Sequence, residues 1–293
     1  YAGYLNLLHT PEIKFRDYVL AQQKFFDSDI YKSAEQYWKK QVEDLPPGPD
    51  LPLLSNRTSS SPTRFKRYTG SLDAMQWEKL QRYAQLFGIT PSGVLLAAFS
   101  IVLARWSQSS RFSLMLTLFN RLPVHEDINE VVGDFTSLLL LCVSVEDNPF
   151  FVHAATIQQQ LWQDMEYRYE CAVDVLRMLK QKNGGSNESY APVVFTSMLP
   201  LTAKSGNISN ALEIIKDVAG EINITHCITQ TPQVRFDHQV YEQNGELHFN
   251  WDIAQGTFPD GMIEDMFLSY SNLLVQLVEK ENTWKSSVSI SLP

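Results

Sequence analysis

Apolar residues recur along this chain with two periods, and the two periods divide it into helices and strands. Over residues 15–42 the positions Tyr31, Ala34, Tyr37, Trp38 and Val42 fall near 3.6-residue spacing. That pattern predicts an amphipathic helix, which stops at the proline-rich run Leu45-Pro46-Pro47-Gly48-Pro49-Asp50-Leu51-Pro52-Leu53. A polar Ser/Thr stretch over 55–63 follows, so residues 1–62 read as a lead-in helix and linker ahead of a body over 63–293. The body opens with a strand over 65–72. Met75, Trp77, Leu80, Tyr83, Ala84 and Phe87 then make a helix stripe closed by Gly88. Thr90-Pro91 restarts a helix as N-cap and first-turn proline, and the nearly unbroken apolar run to Trp106 places that helix at the centre. Runs at 112–119 and 138–145 predict buried strands, 150–169 and 173–182 helices, and 183–187 a loop. Strands are expected at 191–198, 222–229, 233–242 and 246–253, with a closing helix over 259–279. Helices interleaved with a β-rich second half predict an α/β body built on a mixed sheet flanked by helices.

One hairpin can be read in register. Asn244-Gly245 sits between two alternating runs, and Asn-Gly favours a two-residue type I′ turn because both residues tolerate positive φ. Paired positions then place Tyr241 opposite His248, Gln239 opposite Asn250 and Asp237 opposite Asp252, all on one face. The other face carries Phe236, His238 and Val240 against Trp251, Phe249 and Leu247. One side is thus core and the other polar, with two carboxylates directly across from each other. Such a pair resists double ionisation, so one carboxyl is expected to hold a proton near neutral pH. A solvated sheet face is the alternative reading of the same residues.

The composition is that of an ordinary globular chain: 293 residues, 44% hydrophobic, 19% charged and 12% aromatic. With 24 Lys+Arg against 33 Asp+Glu the net charge is -9, which repels a phosphate backbone, so no nucleic-acid partner is expected. Cys142, Cys171 and Cys227 form no C-x-x-C pair and are odd in number, which predicts reduced, buried thiols. The longest apolar stretches, 94–106 and 138–143, fall short of the ~18–20 residues that span a bilayer. With no basic-then-apolar leader, a cytoplasmic chain with no membrane partner is expected. The Asn-x-Ser/Thr triplets at Asn56, Asn187, Asn207 and Asn223 are then chance matches. The chain begins at Tyr1, which predicts a piece of something longer.

Common catalytic signatures are missing. There is no G-x-S-x-G elbow, Walker A loop, G-x-G-x-x-G turn or H-E-x-x-H helix. His125, Glu126, Asp127 and Glu130 cluster without a helix or strand period behind them, so they read as a solvated loop and no metal is expected. Arg64, Lys66 and Arg67 could receive an acidic partner, but read first as outward charges on a strand.

Longer strings carry more. Thr117-Leu118-Phe119-Asn120-Arg121-Leu122-Pro123 leads to Val132-Gly133-Asp134-Phe135-Thr136-Ser137, followed by Ala191-Pro192-Val193-Val194-Phe195-Thr196-Ser197. Then comes Thr229-Gln230-Thr231-Pro232-Gln233-Val234-Arg235-Phe236-Asp237-His238-Gln239. In content, order and spacing these resemble the heterocyclization-domain motifs of nonribosomal peptide synthetases, within the condensation-domain superfamily. Residues 45–53 resemble the family's proline-rich motif, and Trp251-Asp252 with Phe258-Pro259, Gly261 and Met266-Phe267 its last one. The resemblance spans nearly the whole chain. It implies one chloramphenicol-acetyltransferase-like lobe of a two-lobed domain: residues 63–293 as the C-terminal lobe, 1–62 as its lead-in and interlobe linker. The family's D-x-x-x-x-D motif belongs to the N-terminal lobe and is absent in its proper context. Asp260 to Asp265 has the spacing but lies inside the final motif. The missing N-terminal lobe is therefore an expected partner.

The resemblance further implies an amide-forming acyltransferase and cyclodehydratase. Such a domain joins a carrier-bound acyl or peptidyl thioester to carrier-bound Cys, Ser or Thr and closes a thiazoline or oxazoline. The implied partners are upstream and downstream peptidyl carrier proteins and an adjacent adenylation domain. No cofactor of its own is implied, the 4'-phosphopantetheine arms belonging to the carriers. By resemblance Asp237 is the acid/base and Thr196 its orienting partner, with Asn120 and Gln230 as polar supports and Thr136, Ser197 and His238 drawn from the same motifs. Asp252 joins them from the hairpin register. Two departures stand out: the 202–221 segment is longer than usual, and Arg235 stands where an aromatic is common. A non-catalytic carrier-docking lobe and an ordinary condensation domain are the other readings.

Overall fold

The computed structural model describes residues 10–54, 63–170, 172–182, 190–199, 228, 233–288 and 290. Nearly all of the expected strand over 222–229 lies outside them, as do the 183–187 loop, Gln230, Cys171, Cys227 and the four Asn-x-Ser/Thr asparagines. The amphipathic stretch over 15–42 forms two helices, α1 (Phe15–Phe25) and α2 (Asp29–Gln41). The break falls where Ser28 caps α2, its Oγ accepting the Tyr31 N–H at 3.2 Å. In the body, α3 (Ala74–Leu86) starts with a reciprocal cap between Asp73 and Gln76. It ends before Gly88, whose φ of 67° turns the chain out of the helix. Thr90 and Pro91 open α4 (Pro91–Trp106), the Thr90 hydroxyl accepting from the Gly93 N–H at 3.1 Å.

The strands are β1 (Phe65–Leu72), β2 (Arg111–Phe119), β3 (Thr136–Ser144), β4 (Val193–Ser197), β5 (Phe236–Gln243) and β6 (Glu246–Ala254). Among the described residues they form one mixed sheet in the order β1-β6-β5-β4-β2-β3. The β2/β4 and β4/β5 joints are parallel, and the β1/β6, β5/β6 and β2/β3 joints antiparallel. Helices α5 (Phe150–Glu166), α6 (Ala172–Lys182), α7 (Met262–Glu279) and α8 (Glu281–Lys285) complete the fold, an α/β body with a mixed sheet flanked by helices. The β5/β6 turn has φ of 54° at Asn244 and 78° at Gly245, the double positive φ of a type I′ hairpin.

Alternation along the strands gives the sheet two unlike faces. One is apolar. Residues 93–103 of α4 are all buried, and the Phe99 ring stands 4.5 Å from His238, 5.3 Å from Phe236 and 5.6 Å from Trp251. Tyr270 of α7 closes the same cluster, 4.9 Å from His238 and 5.7 Å from Trp251. Gly70 of β1 makes room for the Phe249 ring, which would stand 2.4 Å from any Cβ there.

The proline-rich run is tied to the body. Ser113 donates its N–H to Pro47 O at 2.8 Å and its hydroxyl to Pro46 O at 2.6 Å, while Gly48 N–H meets Tyr190 O at 2.8 Å. A second cluster of Tyr18, Leu122, Ile128, Val131 and Phe135 seats α1. Helix α2 is held by Tyr37, whose hydroxyl donates to Asp164 Oδ1 at 2.6 Å and whose ring stacks on Tyr167 at 4.0 Å. Among the described residues no single helix is long and apolar enough to cross a membrane.

Removing the Phe99 ring leaves a cavity between α4, α7 and the sheet, so Phe99→Ala should lower unfolding free energy by about 3–5 kcal/mol in urea titration. Leu86→Ala, at a residue 76% exposed, should change it by less than about 0.5 kcal/mol. Burial pushes Asp164 up from 3.8 to about 6, against the pull of its hydrogen bonds from Tyr37 and Gln160. The folded chain therefore binds that proton more tightly than the unfolded one, and stability falls as pH rises from about 4 to about 6. Asp164→Asn should flatten that decline in melting curves, and an unchanged slope would contradict it.

Candidate active site

The second face of the sheet is polar. By register it carries Arg67, Thr69 and Ser71 of β1, then Asp252, Asn250 and His248 of β6, then Asp237, Gln239 and Tyr241 of β5. Thr196 of β4 lies beside Gln239, and Thr117 of β2 beside Thr196. Asp237 pairs with Asp252, Gln239 with Asn250 and Tyr241 with His248, the register read from the Asn-Gly turn. Asp237, Gln239, Asn250 and Asp252 are all buried.

Arg67 lies among these groups and does not point outward. Its Nε donates to Asp252 Oδ1 at 2.7 Å and its Nη2 to Asp252 Oδ2 at 2.5 Å, a two-pronged pair with a fully buried carboxylate. The two facing carboxylates are therefore not a bare pair, and the expectation built on their unscreened repulsion loses its premise. The same Nη2 donates to Gln239 Oε1 at 3.2 Å, and Gln239 Nε2 donates to Asp237 Oδ2 at 3.0 Å. Guanidinium can only donate and carboxylate here accepts, so the two neighbours fix which way the Gln239 amide points.

Thr196 is half-buried, two residues along from the Asp237 level on the adjacent parallel strand, and its hydroxyl donates to Thr117 Oγ1 at 2.9 Å. Thr136 is exposed at the start of β3, paired with Phe119, its N–H donating to Asp134 Oδ1 at 2.9 Å. The Thr136 hydrogen bonds hold the Asp134 carboxyl below its usual range. Asn120 lies at the end of β2, away from Asp237. Its carbonyl accepts from Tyr18 Oη at 3.0 Å and its Oδ1 from Arg168 Nε at 3.3 Å. Gln230 is outside the described residues.

Ser197 and His238 face the other way. Ser197 Oγ stands 2.8 Å from Ser92 Oγ in the first turn of α4. His238 is fully buried among Phe99, Phe195, Trp251 and Tyr270, and neither ring nitrogen has a hydrogen-bond partner among the described residues. Burial holds its imidazole well below the ordinary histidine range, so it is a neutral core residue. The expectation of these two as supports beside Asp237 is corrected: one-residue alternation carries each neighbour of a site residue to the opposite face. That alternation was readable in the hairpin. Arg67, Gln239 and Thr117 are the groups that motif reading did not assign.

Away from this row, His125 Nδ1 accepts the Asp127 N–H at 3.1 Å and caps a 3₁₀ turn over Glu126–Glu130. Lys66 pairs with Glu264 of α7 at 2.9 Å. Arg235 lines a cleft of about 530 Å³ with Pro46, Pro49, Tyr190 and Phe258 at the start of β4. Cys142 is half-buried, less enclosed than expected, and burial raises its thiol pKa despite nearby Arg111.

A family model described as "Condensation domain" matches residues 5–292. Bacitracin synthase 1 of Bacillus licheniformis is 37% identical over 277 residues, covering 94% of this chain and 5% of the synthase. Phenyloxazoline synthase MbtB of Mycolicibacterium paratuberculosis is 35% identical over 263 residues, covering 88% of this chain and 21% of that protein. Among solved structures, the EpoB NRPS cyclization-docking bidomain from Sorangium cellulosum superposes with a TM-score of 0.80 at 37% identity. That match covers 93% of this chain and 53% of the bidomain chain. The chain thus spans about half the solved bidomain and a small share of these curated relatives.

Replacing the buried imidazole by an aliphatic side chain removes two nitrogens that have no hydrogen-bond partner among the described residues. His238→Leu is therefore expected to hold or raise unfolding free energy, by up to about 1 kcal/mol in urea titration. A large loss would show that an imidazole contact holds this core together.

Proposed function

The chain belongs to the condensation-domain family, and from that premise we propose that it is the C-terminal catalytic lobe of a heterocyclization domain. Its substrates are a carrier-bound acyl or peptidyl thioester and a carrier-bound Cys, Ser or Thr, each tethered by the 4'-phosphopantetheine arm of its carrier protein. An adenylation domain loads the acceptor, and the N-terminal lobe supplies the other wall of the site. In the first step the acceptor amine attacks the thioester carbonyl, an amide forms and the donor arm leaves as a thiol. That step depends chiefly on holding two tethered reactants within reach. In the second step the acceptor's thiol or hydroxyl attacks the new amide carbonyl. In the third, the C–O bond of the resulting hydroxyl breaks as its oxygen gains a proton. The ring nitrogen gives up its N–H, C=N forms and one water is released.

The ring-forming steps need a group that both takes and gives a proton. Asp237 is that group, and Thr196 orients the reacting atoms beside it. The observation that carries this reading is the shared face: Asp237 and Thr196 stand on neighbouring parallel strands in a polar row backed by a largely apolar face. Donating to Thr117, the Thr196 oxygen can still accept from a substrate donor. Similarity to a cyclization domain and to a phenyloxazoline synthase supports the ring-forming assignment over plain condensation.

The test is intact-mass analysis of the acceptor carrier after reaction in the parent synthetase, with both carriers loaded. Wild type should give the condensed product minus one water, and Asp237→Ala should stop at the linear amide, ring closure falling roughly 10²–10⁴-fold. A wild type that itself stops at the linear amide makes this an ordinary condensation domain, and no coupling makes it a docking lobe.

A further inference from the structure

We propose that Arg67 is a positioning residue for ring closure, acting on Asp237 through Gln239 and Asp252. The inference rests on the reading of Asp237 as the acid/base group. Arg67 comes from β1, at the sheet edge and outside every motif string that carried the family resemblance. Its guanidinium reaches two residues at once: both oxygens of Asp252, at 2.7 and 2.5 Å, and Gln239 Oε1 at 3.2 Å. Gln239 in turn donates to Asp237 Oδ2 at 3.0 Å. The chain of contacts runs from a cation on β1, across β6, to the carboxylate on β5.

Each link restricts the next. A primary amide rotates freely about its last bond unless both ends are engaged, and here a donor holds the oxygen while a carboxylate takes the nitrogen. With the oxygen anchored by Arg67, Gln239 presents its N–H to Asp237 and fixes that carboxylate's rotamer. Gln239 Nε2 also donates to Asp252 Oδ2 at a longer 3.5 Å, so the amide stands between two carboxylates and favours Asp237 by distance. By taking both Asp252 oxygens in short bonds while holding the Gln239 oxygen, Arg67 keeps the shorter amide bond on Asp237. A lysine carries the charge but not the planar fork, and cannot hold a carboxylate bidentately while reaching the amide in one fixed geometry.

Asp252 is fully buried, so deleting the cation alone strands a carboxylate and can unfold the chain. Two variants separate this from positioning. Arg67→Lys keeps the charge. Arg67→Met combined with Asp252→Asn removes both charges and leaves Gln239 without its anchor. In the parent synthetase with both carriers loaded, each should stay folded at the assay temperature and lose ring closure far more than amide formation. Ring closure should fall roughly 10²-fold, the scale of a misplaced catalytic group. Adding Arg67→Lys to Asp237→Ala should cost nothing further, since both act on one step through one group.

Wild-type ring closure by Arg67→Lys and by the double variant, alongside an Asp237→Ala that stops at the amide, overturns the positioning role and leaves Asp237 standing. Equal loss of amide formation and ring closure, with a lowered melting temperature, makes Arg67 a structural residue only. Normal ring closure by Asp237→Ala overturns the acid/base reading and the Arg67 role with it.

Discussion

A buried carboxylate needs a counter-charge, and much of the polar face is organised around the one that Asp252 receives. Asp252 is fully enclosed beside Asp237, and burying two acidic groups side by side is costly unless a cation and hydrogen bonds compensate. Arg67 supplies both. Its position then dictates that β1 lie against β6 in the register pairing Arg67 with Asp252, since a one-residue slip would turn the guanidinium to the opposite side of the sheet.

The apolar face imposes the complementary constraint. Phe99 sits among the rings of Phe195, Phe236, His238, Trp251 and Tyr270, so these strand positions have no freedom to face elsewhere. Fixing Phe236, His238 and Val240 inward fixes Asp237, Gln239 and Tyr241 on the other side. The candidate site is thus placed by the packing behind it, and its side chains stand on strands of a sheet backed by helices, which suits groups that must hold a reacting geometry.

The local parts of this arrangement were legible in the sequence. The Asn244-Gly245 turn gave the register of β5 and β6, and Thr90-Pro91 the start of α4, because turn and cap chemistry act within a few residues. The burial of His238 was readable from the same alternation, although the motif string that contains it also suggested a role beside Asp237. Arg67 was not legible. Whether a charged strand residue points to solvent or into a site depends on which strand lies beside it, and β1 meets β6 across more than 170 residues of sequence. The break between α1 and α2 was hidden for a simpler reason: the apolar spacing continues through Ser28, whose capping role shows only in the hydrogen bond to Tyr31.

The central claim is that ring closure takes place on this polar face, between Asp237 and Thr196. A structure of the intact two-lobed domain with a stable hydroxythiazolidine mimic on the acceptor carrier's arm tests it most directly. The account predicts the mimic's hydroxyl or ring nitrogen within hydrogen-bonding distance of the Asp237 carboxylate, with Thr196 on the adjoining heteroatom. A mimic seated elsewhere, with Asp237 still bonded only to protein groups, would contradict it.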